Sequence, residues 1–465
     1  MSIEHKPSPP VPAVQRPIMV PVDAHARAAL QVVDRLRGAG HAAYPVGGCV
    51  RDLVLGVAPK DWDVATAALP PQVRAVFGRV IEVGVAFGVL RVPMTSDGER
   101  FEIEVATFRA DGPYGDGRRP DRVRFTDARE DVLRRDFTLN GLLLDPGPAE
   151  TGDLRRSAQV VDWVGGLADL DARRLRAIGR PADRFAEDGL RLLRAVRFAA
   201  RFDLQIEAIT RRSISHLAAG LKVISAERIC AELAGALQLP WAPRAAQLLG
   251  ELDLYAVLWP ALSEVDPGLL RAARRMAVVC AELMQGPPEG TVEGCFRPPQ
   301  PTLDLPLALA ILLADIAPLA YRDMLAVGRE LRLSLVEGRR LALIWQLQRA
   351  LAALLSARTP SPAAPLAPAL IRTLRHDEGD AALLLQLAAA GDVSEAAATV
   401  RALRRLRATA DQPTWQPKPW IDGATLKALG HVPSAAFKEA LLAAEDAQLA
   451  GADQRTALAA ALACL

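Results

Sequence analysis

The pattern of apolar and polar positions changes character once along the chain. From about residue 23 to 150 it is mixed. Ala24–Gly38 repeats apolar positions at helical spacing and stops at Gly38 and Gly40. Short β-like runs follow at Ala43–Val46, Trp62–Ala65, Val80–Val83, Val85–Val92 and Phe101–Phe108, divided by Gly and Pro. After about Asp169 the periodicity turns helical and stays so to the end. Two Pro-rich interruptions, Pro287–Pro306 and Thr359–Pro368, read as exposed loops between helical blocks. Residues 1–22 hold Pro7, Pro9, Pro10, Pro12, Pro17 and Pro21 and no apolar run of signal-peptide type, which predicts a disordered tail. No repeat of fixed period is visible. The pattern predicts an α+β chain, a small head with a mixed sheet followed by a long all-α remainder.

Composition narrows the class. At 465 residues the chain is long enough for two to four domains. Hydrophobic residues at 51% and charged residues at 24% exclude a wholly disordered chain. The net charge of +2 announces no partner, but only six of the 56 basic residues are lysines, so arginine supplies fifty. Coding bias and a need for planar phosphate-gripping forks both explain that excess. Five dispersed cysteines without a C-x-x-C pair argue against a disulfide framework or zinc site and fit a reducing cytoplasm. The most apolar stretches, Leu305–Ala320 and Ala381–Ala390, are too short or too interrupted to span a bilayer.

Candidate chemistry concentrates near the N-terminus. Tyr44–Gly56 reads as a strand, a turn at Gly47 and Gly48, and a short helix closed by Gly56. Adjacent glycines let backbone N–H groups approach an anion, the helix start favours it, and Arg51 lies one turn in. The same residues also suffice for a plain tight turn. Strand alternation then places Asp61 and Asp63 on one side of Trp62. Two neighbouring carboxylates raise each other's proton affinity unless a cation lies between them, and paired Mg²⁺ ions fill that place where phosphates are held. A polar loop beside a strand is the plainer alternative. Glu102 and Glu104 share a face opposite Ile103 and Val105, so either adds a ligand or base to the aspartates, or both simply meet solvent.

Beyond a polar, glycine-rich loop at Asp111–Arg122, Asp136 and Asn140 stand four residues apart. If helical, they can grip two ribose hydroxyls with Arg135 beside them for phosphate, or form a helix cap with a surface ion pair. The segment Arg184–Phe198 reads as one continuous helix with Asp188, Arg191 and Arg194 inside an arc of about 120°. Residues 171–230 carry thirteen basic and seven acidic side chains, so a basic stretch hides inside the neutral total. Such a row serves either as a solvated face or as the wall of an anion site. Asp188 beside Arg191 is sharper. A carboxylate and a guanidinium together suit the amino group and ring nitrogen of cytosine or adenine, and oppose the carbonyl of uracil or guanine.

In order, the motifs are Gly47-Gly48 with Arg51 and Asp52; Asp61 and Asp63; Glu104 to Arg109; Arg134, Arg135, Asp136 and Asn140; Asp162, Gly165, Gly166 and Asp169; Glu187, Asp188, Arg191 and Arg194; and Glu227, Arg228 and Glu232. Together they resemble the class II tRNA nucleotidyltransferase (CCA-adding) and bacterial poly(A) polymerase family from Tyr44 to about Leu233. Glu445, Asp446, Ala447 and Gln448 resemble endings of some bacterial members. The resemblance implies a nucleotidyltransferase head with a five-stranded sheet at 23–168, a base-reading neck at 169–233, and an RNA-binding helical body at 234–400 and tail at 401–465.

It further implies two Mg²⁺ ions on Asp61 and Asp63, with Glu104 the third acidic position. Gly47, Gly48 and Arg51 face the triphosphate; Arg135, Asp136 and Asn140 the ribose and nucleotide; Asp188 and Arg191 the base; Arg194 and Arg197 the phosphates. Asp116, Arg118 and Arg119 belong to a flexible loop tied to the switch to ATP. Gly189 replaces the family's usual proline, which in a continuous helix costs up to about 1 kcal/mol. The expected activity is template-independent addition of C and A to the tRNA 3′ end, from CTP and ATP, in the cytoplasm and without a membrane or stable protein partner. A poly(A) polymerase or a partial CC- or A-adding enzyme shares these motifs. A non-catalytic RNA-binding scaffold is the reading from another class, and the intact aspartates oppose it.

Overall fold

In the computed structural model the described residues are 13–21, 23–84, 87–112, 123–147, 155–259, 269–285, 302–314, 321–357, 366–391, 394–409 and 415–465. The chain divides into two compact units, residues up to Ile224 with Leu252–Leu258, and Ser225–Glu251 with Trp259–Leu465.

Among its described residues the first unit has twelve strands: β1 (Val14–Pro21), β2 (Ala43–Val46), β3 (Asp63–Thr66), β4 (Ile81–Gly84), β5 (Val89–Ser96), β6 (Glu99–Thr107), β7 (Arg109–Asp111), β8 (Val123–Phe125), β9 (Leu142–Pro146), β10 (Arg155–Asp162), and a short parallel pair, β11 (Arg174–Leu175) with β12 (Gln205–Ile206). Eight form one sheet in the order β1-β10-β9-β2-β3-β6-β5-β4, and β7 with β8 makes a separate ribbon. All neighbours in the large sheet are antiparallel except β3 and β6, which run parallel. The five runs read from alternation are β2, β3, β4, β5 and β6, and the expected five-stranded sheet is extended to eight by β9, β10 and β1. Leu142–Pro146 opens on three consecutive leucines and shows no alternation, so periodicity cannot distinguish it from buried helix.

The expectation of a disordered tail over 1–22 needs correction for its second half. Val14–Pro21 pairs along its whole length with β10, from Val14 opposite Asp162 to Pro21 opposite Arg155. Pro17 and Pro21 are tolerated because β1 is an edge strand, where a missing N–H faces away from the ladder. Val20 is fully buried, and Arg16 pairs with Asp171 to hold the edge in place. Residues 1–12 lie outside the described residues.

Helix α1 (Ala24–Gly38) starts where Asp23 accepts a hydrogen bond from the Ala26 amide at 2.8 Å, and its Leu30, Val32, Val33 and Leu36 face the core. Six further helices carry or flank the residues of interest: α2 (Gly48–Val54), α3 (Pro70–Phe77), α4 (Ala128–Leu133), α5 (Gly166–Asp171), α6 (Pro181–Glu187) and α7 (Leu190–Arg201). The last two replace the single helix expected over 184–198. The chain leaves helical geometry at Asp188, whose φ of −148° and ψ of 105° are extended, and Asp188 then accepts from the Leu190 amide at 3.0 Å to start α7.

Gly189 is therefore the residue before a helix, not one inside it. A Cβ at Gly189 would lie 2.7 Å from the Gly220 carbonyl oxygen, so close backbone approach explains the glycine. The aspartates of the fifth motif, Asp162 and Asp169, are architectural. Asp162 accepts from the amides of Val164, Gly165 and Leu167, all at 2.9 Å, and fully buried Asp169 accepts from Thr138 Oγ1, Arg174 Nε and Arg176 Nε at 2.8 Å each.

The second unit is helical throughout its described residues, as the periodicity predicts. One core gathers Leu351, Leu374, Leu383, Leu387, Val400 and Trp415, and a smaller one gathers Leu426, Phe437, Ala440 and Ala457. Most of the two Pro-rich interruptions falls outside the described residues. Their final prolines, Pro306 and Pro368, sit in the first turns of helices Leu305–Leu312 and Pro368–Leu374, where a missing amide costs nothing. Arginines here are spent internally. Arg404 grips both oxygens of Asp380 at 2.9 and 3.1 Å and Glu282 at 2.8 Å. Glu445 and Asp446 pair with Arg375 and Arg372, and Gln448 bonds the Trp420 amide and the Lys418 carbonyl. That C-terminal motif thus ties helix Ala435–Leu449 to helix Pro368–Leu374. Among the described residues no helix is long and apolar enough to cross a membrane.

Candidate functional site

The strand register brings the acidic residues together. Asp63 is the first residue of β3 and stands opposite Glu104 across the parallel β3–β6 ladder. Trp62 is buried in the core, while Asp61 and Asp63 are exposed on either side of it in sequence. Glu102 is drawn off differently, to an ion pair with Arg91 at 3.4 Å on an exposed part of the sheet. Asp63 meets water, yet the protein around it displaces enough hydration to push its carboxyl up to about 6. Glu104 and then Asp61 add to that rise, and Arg135 opposes it.

A divalent cation fits such a donor set, because it would relieve the crowding that raises Asp63. Among the described residues no three His, Cys, Asp or Glu side chains converge into a complete ligand set. The carboxylates here would share a cation with oxygens from water or phosphate, as Mg²⁺ sites commonly do.

Next to β3 lies the glycine turn. Gly47 adopts φ 72° and ψ −119° before α2, a conformation open to glycine alone in practice. Its amide donates to the Leu142 carbonyl of β9 at 3.0 Å, and a Cβ there would lie 2.9 Å from Arg135 Nη1. Arg135 is held by Asp131 Oδ2 at 2.9 Å and more weakly by the Asn140 carbonyl at 3.4 Å, and its Nε is buried without a hydrogen-bond partner. Asp131 also accepts from Arg134 and from the Arg109 amide. Burial alone would raise Asp131, but Arg135 and Arg134 hold it below the usual carboxylate range.

The groups expected to grip a ribose are engaged with one another. Arg51 is buried; its Nε and Nη2 donate to Asp52 Oδ1 at 2.8 and 2.7 Å, and its Nη1 donates to Asn140 Oδ1 at 2.8 Å. Asn140 Nδ2 donates to Asp136 Oδ1 at 3.0 Å, and Arg194 reaches Asp136 Oδ2 through Nε at 2.8 Å. Burial would raise Asp136, yet Arg194 and Asn140 hold it below its ordinary value. Asn140 belongs to a 3-10 turn, Thr138–Asn140, rather than to a helix shared with Asp136.

At the start of α7, Arg191 Nη1 donates to Glu187 Oε2 at 2.6 Å and to the Arg184 carbonyl at 3.0 Å, while Nη2 donates to the Arg134 carbonyl at 3.3 Å. Asp188 and Arg191 thus flank the helix start, although not as neighbours on one helical face. Arg197 lies half-buried farther along α7 beside the Phe198 ring. Asp116, Arg118 and Arg119 lie outside the described residues. Asp111 at the base of that loop pairs with Arg109 at 3.0 Å and Arg134 at 3.3 Å.

Two features escaped the sequence reading. Asp131 orients Arg134 and Arg135, and Phe198 with Phe202 flanks Arg51. The four-residue spacings of Asp131 to Arg135 and of Phe198 to Phe202 were the available signals. Among the described residues Cys49, Cys230, Cys280 and Cys464 are free thiols.

Residues 43–176 match the family "Poly A polymerase head domain", and residues 203–265 match "Probable RNA and SrmB- binding site of polymerase A". A CCA-adding enzyme of Streptococcus suis is 42% identical over 201 residues, covering 43% of this chain and 46% of that protein. One from Streptococcus pyogenes serotype M2 is 38% identical over 242 residues, covering 52% and 56%. The matched region thus spans about half the length of these curated relatives. The Bacillus stearothermophilus CCA-adding enzyme crystallised with CTP superposes with a TM-score of 0.65 at 25% identity, over 95% of this chain and 98% of that one. A Thermotoga maritima CCA-adding enzyme in complex with tRNA superposes at 0.66 over 95% and 96%; at 20% identity it supports the fold.

Proposed function

We propose that this chain, which carries the head domain of the poly A polymerase and CCA-adding nucleotidyltransferases, adds C and A to the 3′ end of tRNA without a nucleic-acid template. The observation that carries the reading is the placement of Asp63 beside Glu104 and Asp61, next to the Gly47 turn. In the reaction the RNA 3′-hydroxyl attacks the α-phosphate of CTP or ATP, and pyrophosphate leaves.

Nucleotidyltransferases of this family generally use a divalent metal. We assign two Mg²⁺ ions to Asp61 and Asp63, with Glu104 beside them; bound there, Mg²⁺ supplies charge stabilisation for the attacking and departing oxygens. The Gly47–Gly48 turn, Arg51 and Arg135 address the triphosphate. Arg135 suits this role because it keeps a buried Nε donor and its charge reaches Asp63. Asp136 and Asn140 shape the ribose pocket, and Arg194 and Arg197 extend the cationic wall. Asp188 and Arg191 read the base. The Arg191 fork is held by Glu187 and two carbonyls, so its plane is set before a base arrives. Asp116, Arg118 and Arg119 serve the exchange between CTP and ATP.

The same proposal places the head at 23–168, the neck at 169–233, and RNA-binding body and tail at 234–400 and 401–465. It also places the protein in the cytoplasm without a stable protein partner.

The test is incorporation of labelled CTP, ATP or both into tRNA lacking its 3′ end, with Mg²⁺ present. Growth that stops after C, C and A supports the reading. A long A ladder identifies a poly(A) polymerase, and a stop after two cytidines, or A added only to a CC end, identifies a divided pathway. Asp61→Ala and Asp63→Ala should abolish incorporation and leave tRNA binding intact, and Arg191→Ala should relax choice among the four nucleotides. Normal turnover in either aspartate variant refutes the assignment.

A further inference from the structure

Phe198 on α7 and Phe202 at its C-terminal cap stand one turn apart, 6% and 8% exposed, with ring planes 21° apart and centroids at 6.3 Å. The Arg51 guanidinium carbon lies 4.3 Å from the Phe202 centroid and 5.4 Å from that of Phe198. Arg194 lies 5.0 Å from the Phe198 ring, and Arg201 lies 5.0 Å from the Phe202 ring. Phe137 braces Phe198 edge-on at 5.9 Å and 81°. Two rings are therefore shared among arginines from α2 and α7.

The chemistry of this contact differs from an ion pair. A ring face stabilises a guanidinium charge and fixes its plane, but it accepts none of the five N–H donors in the plane. At Arg51 three hydrogen bonds run to Asp52 and Asn140. A second carboxylate in place of the rings would neutralise the charge further and consume the remaining donors. An aliphatic side chain would desolvate Arg51 and return nothing.

We infer that Phe198 and Phe202 are positioning residues for nucleotide binding: stacked on Arg51, they hold its guanidinium plane and spare its charge for the phosphates. This rests on the reading that Arg51 faces the triphosphate. It adds two side chains with no polar group of their own to the determinants of that site.

Equilibrium titration of the full chain with CTP, ATP and inorganic triphosphate tests it, because binding is separable from incorporation. Phe202→Leu should weaken all three by about tenfold, as expected for loss of a desolvated cation–π contact. Phe202→Tyr, which keeps the ring, should stay within about twofold of wild type. In an Arg51→Lys background, Phe202→Leu should cost less than about twofold, since the planar partner is already gone. Unfolding midpoints in urea accompany each variant. Where Phe202→Leu does not fold, Phe198→Leu and Phe198→Tyr carry the same comparison, with a loss of about threefold for leucine.

Equal weakening by leucine and tyrosine overturns the inference, as does a full additive loss in the Arg51→Lys background. Wild-type protein that binds none of the three probes overturns it too. Wild-type protein that binds them, with ring-dependent affinity, but extends no tRNA refutes the proposed function and leaves the positioning role standing.

Discussion

Arg51 donates through Nη1 to Oδ1 of Asn140 at 2.8 Å across 89 residues of sequence. That bond determines which way the Asn140 amide faces. Its oxygen meets Arg51, so its nitrogen meets Asp136, and Asp136 in turn takes Arg194. A buried polar path thus runs from α2, through the Thr138–Asn140 turn, to α7. Every link is a donor meeting an acceptor, which is the condition for a buried polar network to be stable.

Asn140→Ala removes two links at once: it leaves Arg51 Nη1 short of a partner and leaves Asp136 Oδ1 with the Phe137 amide. The expected loss is about 2–3 kcal/mol, since one buried donor is abandoned and a second buried hydrogen bond is lost. Urea unfolding measures it. A loss under about 0.5 kcal/mol would show that solvent enters and replaces the amide.

Asp136 gives the network a pH dependence. Its folded-state proton affinity is lowered by Arg194 and Asn140 against the opposing effect of burial. The unfolded carboxyl, near the ordinary value of about 3.9, binds its proton first on acidification. Stability from this group is present above that value and is lost as pH falls through the lower folded value. Thermal unfolding followed below about pH 5 should therefore decline more gently in Asp136→Asn than in wild type. Parallel declines would mean that Asp136 gains nothing from its partners.

Gly189 and Gly220 offer a matched pair. A methyl group at Gly189 would press on the Gly220 carbonyl oxygen at 2.7 Å, whereas one at Gly220 would meet nothing within 4 Å. Gly189→Ala should destabilise by about 1–3 kcal/mol, the cost of forcing backbone apart. Gly220→Ala should be neutral or stabilising by up to about 1 kcal/mol through the unfolded chain. Melting temperatures of the two variants, compared side by side, decide the point, and equal shifts would contradict the close approach.

Arg404 tests the second unit. It is 6% exposed and bonds Asp380 and Glu282, themselves largely buried. Arg404→Ala strips Asp380 of its two-point partner, leaves Glu282 with Arg401, and should cost about 3–5 kcal/mol. Replacing Arg404 and Asp380 together by leucine should recover part of that loss, because the desolvated charges then disappear in pairs. Urea unfolding of the single and double variants gives the comparison, and a double variant worse than the single would contradict this account.

Much of the head was legible in the chain. Alternation located β2 through β6, and it placed Asp61 and Asp63 opposite buried Trp62 and Glu104 opposite buried Ile103 and Val105. Side-chain period within one strand is a local property, so local sequence suffices for it. The break at Asp188 was not legible from periodicity, because Phe185, Leu192 and Val196 keep helical spacing across it. An aspartate whose side chain caps the next helix is a local alternative to continuing the first. The pairing of β1 was hidden for a different reason, since proline-rich sequence reads as unstructured until an unsatisfied strand edge exists to receive it.

By itself the sequence determined the α+β division, the central strands, the faces of their acidic residues and the order of the motifs. These follow from φ/ψ preferences and from apolar spacing over a few residues. Only the tertiary structure decided that Glu104 rather than Glu102 stands against Asp63, that Asp136 and Asn140 satisfy each other, and how the arginines divide. Some close ion pairs inside the helical unit, as Arg404 does. Arg51 and Arg194 instead meet aromatic rings and one buried carboxylate each. The physical reason is distance along the chain. Strand register and partner choice depend on groups brought together from 58 or 89 residues away, and no local pattern encodes which of them will lose water together.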